Sequence, residues 1–237
     1  MTRPIPFGLT GRATHRYATQ PRRARDAEEA AWYAVLLRNL NAQIRRIASA
    51  SAMALGLPGD YFWAAETEIV TGVVSTLAAA TTNRGGLYAI GDLQRRYRIG
   101  VDWGLVNTEA QQWAQAHAAE LAKGLTATTR GQAQQVIADW VASGEPMPKL
   151  VGRLVAQAGT ERRALLIAQT ESTNAFAAGN RIAWKESGVV KREEWNTTQS
   201  ERVCPICRPL NGKVSRLGQG PRPAIHPGCQ CWLTPVV

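Results

Sequence analysis

The residues whose types and spacing could do chemistry lie in the last 34 positions, where all four cysteines fall. Cys204-Pro205-Ile206-Cys207 is followed, after a spacer, by His226-Pro227-Gly228-Cys229-Gln230-Cys231. The preceding 203 residues contain no cysteine, which argues against a chance scatter of thiols. Thiolate sulfur with imidazole nitrogen suits zinc, which takes four ligands in a structural site. Two intervening residues let Cys204 and Cys207 reach one ion from a tight turn. His226 and Cys229 repeat that spacing and Cys231 stands two residues further on, so three candidates compete for two places and the sequence does not choose. Pro227 stiffens the turn, and Gly228 permits a backbone angle that a larger residue resists.

Three chemistries fit a Cys-x-x-Cys pair. A structural Zn2+, one per chain, is favoured because four or five soft ligands fill the coordination sphere and leave no place for a catalytic water. A redox dithiol needs a strand–motif–helix setting, which is missing here. A catalytic metal of the deaminase type needs a His-x-Glu unit ahead of the cysteines, and no such unit occurs. Residues 1–149 carry no Gly-rich phosphate loop, no nucleophile motif and no paired carboxylates with a histidine, so no enzyme is expected. His15 and His117 have no ligand or carboxylate at a useful spacing and stay unassigned.

The elements that must position the cluster are read from periodicity. Asp26 and Glu29 resemble a capping box opening a helix over about 27–52, with Trp32, Leu36, Leu40, Ile44 and Ile47 on one face. Asp60 is expected to cap a second helix bearing Trp63, Val70, Val73, Val74 and Leu77, ended by Gly85-Gly86. Further helices are expected at about 87–98, 108–124 and 129–143. Trp32, Trp63, Trp113 and Trp140 sit on apolar stripes and read as core rather than as a platform for bases. Ser143-Gly144-Glu145-Pro146-Met147-Pro148 breaks the chain, a short helix follows at about 149–157, and a long one at about 161–186. Val189–Thr198 then reads as a strand with Val189, Lys191, Glu193 and Trp195 on one side. Asn211-Gly212 reads as a tight hairpin turn and Arg216–Pro223 as an exposed loop.

The fold class expected is therefore mainly α: a helical N-terminal domain, 26–142, and a small α+β C-terminal unit, 143–237, whose β-hairpin and tail strand a zinc ion clamps. Ahead of both, Arg3, Arg12, Arg16, Arg22, Arg23 and Arg25, with Pro4, Pro6, Pro21 and no acidic residue, read as a flexible basic arm over 1–25. A net charge of +10 is the usual footprint of proteins that meet phosphate backbones or acidic surfaces. No stretch approaches 18 uninterrupted apolar residues, and the N-terminal stretch lacks the apolar run of a secretory signal. A membrane role is not expected, and a reduced cytoplasm favours metal or redox use of the thiols over disulfides.

The C-terminal residues also carry a family resemblance. Arg163-Ala164-Leu165-Leu166-Ile167-Ala168-Gln169-Thr170-Glu171, Asn174, Ala175, Gly179, Trp184, Ser187-Gly188-Val189, Trp195, Thr197-Thr198, Val203 to Cys207, Leu210 to Lys213 and His226 to Cys231 appear in an order that resembles the phage Mu F-like minor head protein domain, over about 150–237. Gln169, Gln199-Ser200 and Gln230 depart from that pattern, where arginine, aspartate and arginine are expected. The resemblance implies a minor head morphogenesis protein of a phage or prophage, made in the host bacterial cytoplasm and carried in the virion. Its implied partners are the portal protein and other head proteins, with DNA contact through the basic arm. A DNA-binding zinc module, or an effector-type protein carrying this domain, is the alternative. Thr170, Glu171 and Asn174 read as groups bracing the hairpin or as part of a functional surface.

Overall fold

The computed structural model describes residues 11–158, 160–197 and 203–237, with backbone alone over 11–20. Among these residues five α-helices, α1 (Gly11–Ala54), α2 (Asp60–Tyr97), α3 (Trp103–Ser143), α4 (Met147–Ala158) and α5 (Thr160–Glu186), precede three short strands, β1 (Arg192–Asn196), β2 (Val214–Arg216) and β3 (Trp232–Val236). The sheet is antiparallel with order β2-β1-β3. The mainly α architecture with a small C-terminal sheet is as expected.

Several boundaries differ from the periodic reading, each for a tertiary reason. Gly11–Arg25 is helical rather than an irregular arm, so Asp26 lies inside α1 and does not cap it. Pro21 and Arg25 are buried there, and contacts to the C-terminal unit hold the turn. Arg3, Pro4 and Pro6, the side chains of Arg12 and Arg16, and Thr198, Gln199 and Ser200 lie outside the described residues. Asp60 is the first residue of α2 rather than its cap, and pairs with Arg130 at 2.7 Å.

Gly85-Gly86 does not end α2, which runs on to Tyr97. The two glycines instead let α2 and α5 touch backbone to backbone. A Cβ on Gly85 would strike the carbonyl of Phe176, and one on Gly179 would strike the carbonyl of Thr82 and come within 2.7 Å of the Gly86 nitrogen. Helix propensity alone reads a glycine pair as a stop; close packing overrides it. The helices expected at 108–124 and 129–143 are one, α3, capped by Asp102, whose carboxylate accepts from the Gly104 and Leu105 nitrogens. It ends at Gly144, whose φ of 64° no β-branched residue would tolerate well.

The helical core crosses the expected division at 142/143: Trp32 and Leu36 of α1, Val70 and Val74 of α2, Ala114 and Ala118 of α3 and Ala164 and Ala168 of α5 pack as one cluster. The sheet sits on the α2–α5 pair through Ala89, Leu93, Ala183, Trp184, Trp195 and Leu233. β1 begins at Arg192, so Glu193 and Trp195 face inward as expected, whereas Val189 and Lys191 precede the strand and are exposed while Val190 is buried. Asn211 (φ −56°, ψ 127°) and Gly212 (φ 76°), with Lys213 N donating to Leu210 O at 2.9 Å, form a type II turn leading into β2, not a two-residue loop between paired strands. Asn211 Oδ1 accepts from Thr197 N at 2.9 Å and Oγ1 at 3.0 Å, tying that turn to the end of β1.

Candidate metal centre

Four segments bring the cysteines and His226 together. Cys204 and Cys207 lie on the turn after β1, where Cys207 N donates to Cys204 Sγ at 3.2 Å and Arg208 N to Cys204 O at 3.0 Å. His226 and Cys229 bracket a turn closed by Cys229 N donating to His226 O at 3.1 Å, with Gly228 at φ 73°. Cys231 leads directly into β3. Helix α5 holds this second turn from below: Thr170 Oγ1 accepts from Gly228 N at 2.9 Å, and the buried Thr173 hydroxyl donates to Cys229 O at 2.9 Å.

The ligand atoms form two groups, Cys204, Cys207 and His226, and Cys207, Cys229 and Cys231, each with its members within 4.8 Å of one another. Cys207 belongs to both. His226 Nε2 lies 3.0 Å from Cys204 Sγ and 3.2 Å from Cys207 Sγ, and Cys207 Sγ is 3.9 Å from Cys229 Sγ. A tetrahedron with arms of about 2.3 Å has edges of about 3.8 Å, so the sulfur pair already stands at coordination distance. Cys207, Cys229 and Cys231 are buried, Cys204 and His226 half-buried, and no disulfide joins any of the four thiols. This donor set fits a soft or borderline divalent metal.

Proton placement agrees with that use. His226 Nδ1 lies 2.9 Å from the carbonyl of Pro227, which places a proton there and turns the Nε2 lone pair to the sulfurs. That contact, ahead of nearby thiolate charge, raises the His226 pKa. The Cys231 thiol, with backbone N–H groups, pushes Cys229 down to about 5, and the same contact drives Cys231 upward. Burial pushes Cys207 up to about 12, and at Cys204 burial is outweighed by the hydrogen bonds it accepts from Cys207, so its pKa falls. Thiols packed this closely share out a few protons that a metal ion would displace.

All five residues predicted from sequence converge here. Several others were not legible. Arg25 of α1 donates to Cys231 O at 3.3 Å and Gln230 O at 3.5 Å, and Arg22 donates to Gln230 Oε1 at 2.9 Å. Arg181 of α5 makes a bidentate pair with the buried Glu193 of β1 at 2.9 and 2.6 Å and also donates to Pro221 O, anchoring both the sheet and the loop ahead of His226. His117, unassigned from sequence, meets Glu171 at 2.6 Å and stacks on Trp113. Glu171 therefore braces α5 against α3 rather than the hairpin, and Thr170 holds the His226–Cys229 turn. A residue type with no fixed spacing gives no signal for such pairs.

Residues 131–234 match the family model described as Phage Mu protein F like protein. That match covers the C-terminal part of the chain, which is similar to that family. The Mu F-like segment begins inside α3, includes α4, α5, β1, β2 and all five candidate ligands, and ends inside β3, whereas His117 and Arg25 lie outside it. No curated protein and no solved structure matches the chain. Among the described residues no helix is long and apolar enough to cross a membrane.

Proposed function

We propose that the chain is a non-catalytic minor head protein of a phage or prophage, made in the host bacterial cytoplasm and built into the virion at the portal, close to the packaged DNA. The observation that carries this reading is the coincidence of the Mu F-like match with the complete Cys/His cluster inside it. A structural zinc held by Cys204, Cys207, His226 and one or both of Cys229 and Cys231 would join the turn after β1 to the start of β3, and would supply folding free energy rather than reactivity. Metal analysis of protein purified without chelator should give one zinc per chain. Binding to assembled portal rings should survive high salt, as expected for a shape-matched protein interface.

A second reading, a zinc module that binds DNA directly, has one observation in its favour. Arg192 and Arg216 stand directly opposite each other on β1 and β2, both exposed, with exposed Lys191 next to Arg192 in the chain. Like charges placed across a strand pair repel and would be relieved by a polyanion. DNA affinity that falls steeply with salt in the absence of any head component, coupled with no retention on portal rings, would favour this reading over the first.

A further inference from the structure

Arg25 is 2% exposed, although its neighbours Arg22 and Arg23 reach solvent. The other charged side chains buried among the described residues have partners: Glu66 has Arg46, Asp92 has Arg96, Glu171 has His117 and Glu193 has Arg181. Among the described residues Arg25 has none at ion-pair distance. Its two terminal nitrogens donate to neutral carbonyls, those of Cys231 and Gln230, and its Nε has no hydrogen-bond partner among the described residues. Asp26 and Glu29 act on it only from further off. A guanidinium taken out of water without a counter-charge in contact is costly, and α1 supplies only Glu29 and Asp26 at longer range.

The missing charge lies in the segment that Arg25 grips. Any four of the five candidate ligands include at least three thiolates, so a bound dication would leave a net formal charge of −1 with His226 and −2 without it. The centre is anionic whichever set binds. Resting on the metal reading above, we propose that Arg25 is the counter-charge of the metal–thiolate centre, a positioning residue supplied by α1 from outside the Mu F-like segment. Metal binding and docking of the N-terminal turns of α1 are then one coupled event, each strengthening the other. Arg22, donating to Gln230, adds a second contact to the same loop.

The test uses the full chain with zinc as the probe, in competition titrations against a chromogenic chelator. R25Q keeps a donor for the carbonyls and drops the charge; R25K keeps the charge and drops the fork. R25Q is expected to weaken zinc binding about 10–100-fold, the usual effect of removing an outer partner of a metal site, and R25K by clearly less. In R25Q, zinc should also protect α1 less against proteolysis near Arg22 and Arg23. R25M repeats the charge deletion if R25Q does not fold. Zinc affinity in R25Q equal to wild type, or an R25K defect as large as that of R25Q, would overturn the counter-charge role while leaving the metal site standing. A wild-type chain that binds no zinc would sink the metal reading and this inference together.

Discussion

Replacing Cys207 by serine should be the most damaging single change in the ligand cluster. Its sulfur is the vertex shared by both three-residue groups, so its loss breaks each of them, whereas Cys231→Ser leaves Cys204, Cys207, His226 and Cys229 intact. Structural zinc contributes about 10–16 kcal/mol in small zinc domains, roughly 2.5–4 kcal/mol for each of four ligands. That corresponds to an affinity loss of about 100-fold or more. By mass action a 100-fold loss removes about 2.7 kcal/mol of zinc-linked stability at saturating metal. A chain of this size shifts by about 2–4 °C per kcal/mol, so the zinc-loaded Tm should fall by about 5–11 °C. Serine also leaves a hydroxyl in a site that is 2% exposed. Calorimetry with parallel metal analysis on wild type, Cys207→Ser and Cys231→Ser reads all three quantities. One zinc per chain and an unchanged Tm in Cys207→Ser, or equal damage in both variants, would refute the assignment of Cys207 as the shared ligand.

Other perturbations address the scaffold and the protons. Gly179→Ala drives a methyl into the Thr82 carbonyl and the Gly86 nitrogen, backbone that cannot step aside, and should cost about 1–3 kcal/mol in urea unfolding; wild-type stability would show that α2 and α5 do not cross so closely. Glu193→Gln strips the charge opposite Arg181, whose side chain keeps 14% exposure, and should destabilise by about 3 kcal/mol, the lower end for a broken buried pair. A loss below 1 kcal/mol would mean the bridge does not hold the sheet. Acidification should release the metal, because protons compete for the same sulfurs and imidazole. In the metal-free chain the depressed Cys229 pKa gives a contribution present above the ordinary thiol range and lost as pH falls through about 5. Zinc retention measured from pH 8 to 4 should therefore fall toward the acid end, and retention unchanged at pH 4 would exclude thiolate ligation.

The sequence by itself determined the chemistry and the local elements. Thiol and imidazole spacing within each half of the cluster is covalent information, held in six residues or fewer, and so were the break at Ser143 to Pro148, the long α5 and the turn glycine at 212. The Mu F-like segment was legible for the same reason, as an ordered series of uncommon residues along one stretch. Tertiary structure alone decided which residues surround the site. Arg25 reaches Cys231 across 206 positions, and His117 reaches Glu171 across 54, distances over which no periodicity operates. The same holds for Gly85-Gly86: composition reads the pair as a stop, and only the facing backbone of α5 makes it a crossing. Burial of Pro21 and Arg25 against the C-terminal loop likewise turned residues that look like a solvated arm into helix. Local rules name donors and turns; the partner that satisfies each is chosen when the chain packs, because desolvation and pairing are set by what lies across the interface rather than by what lies next in sequence.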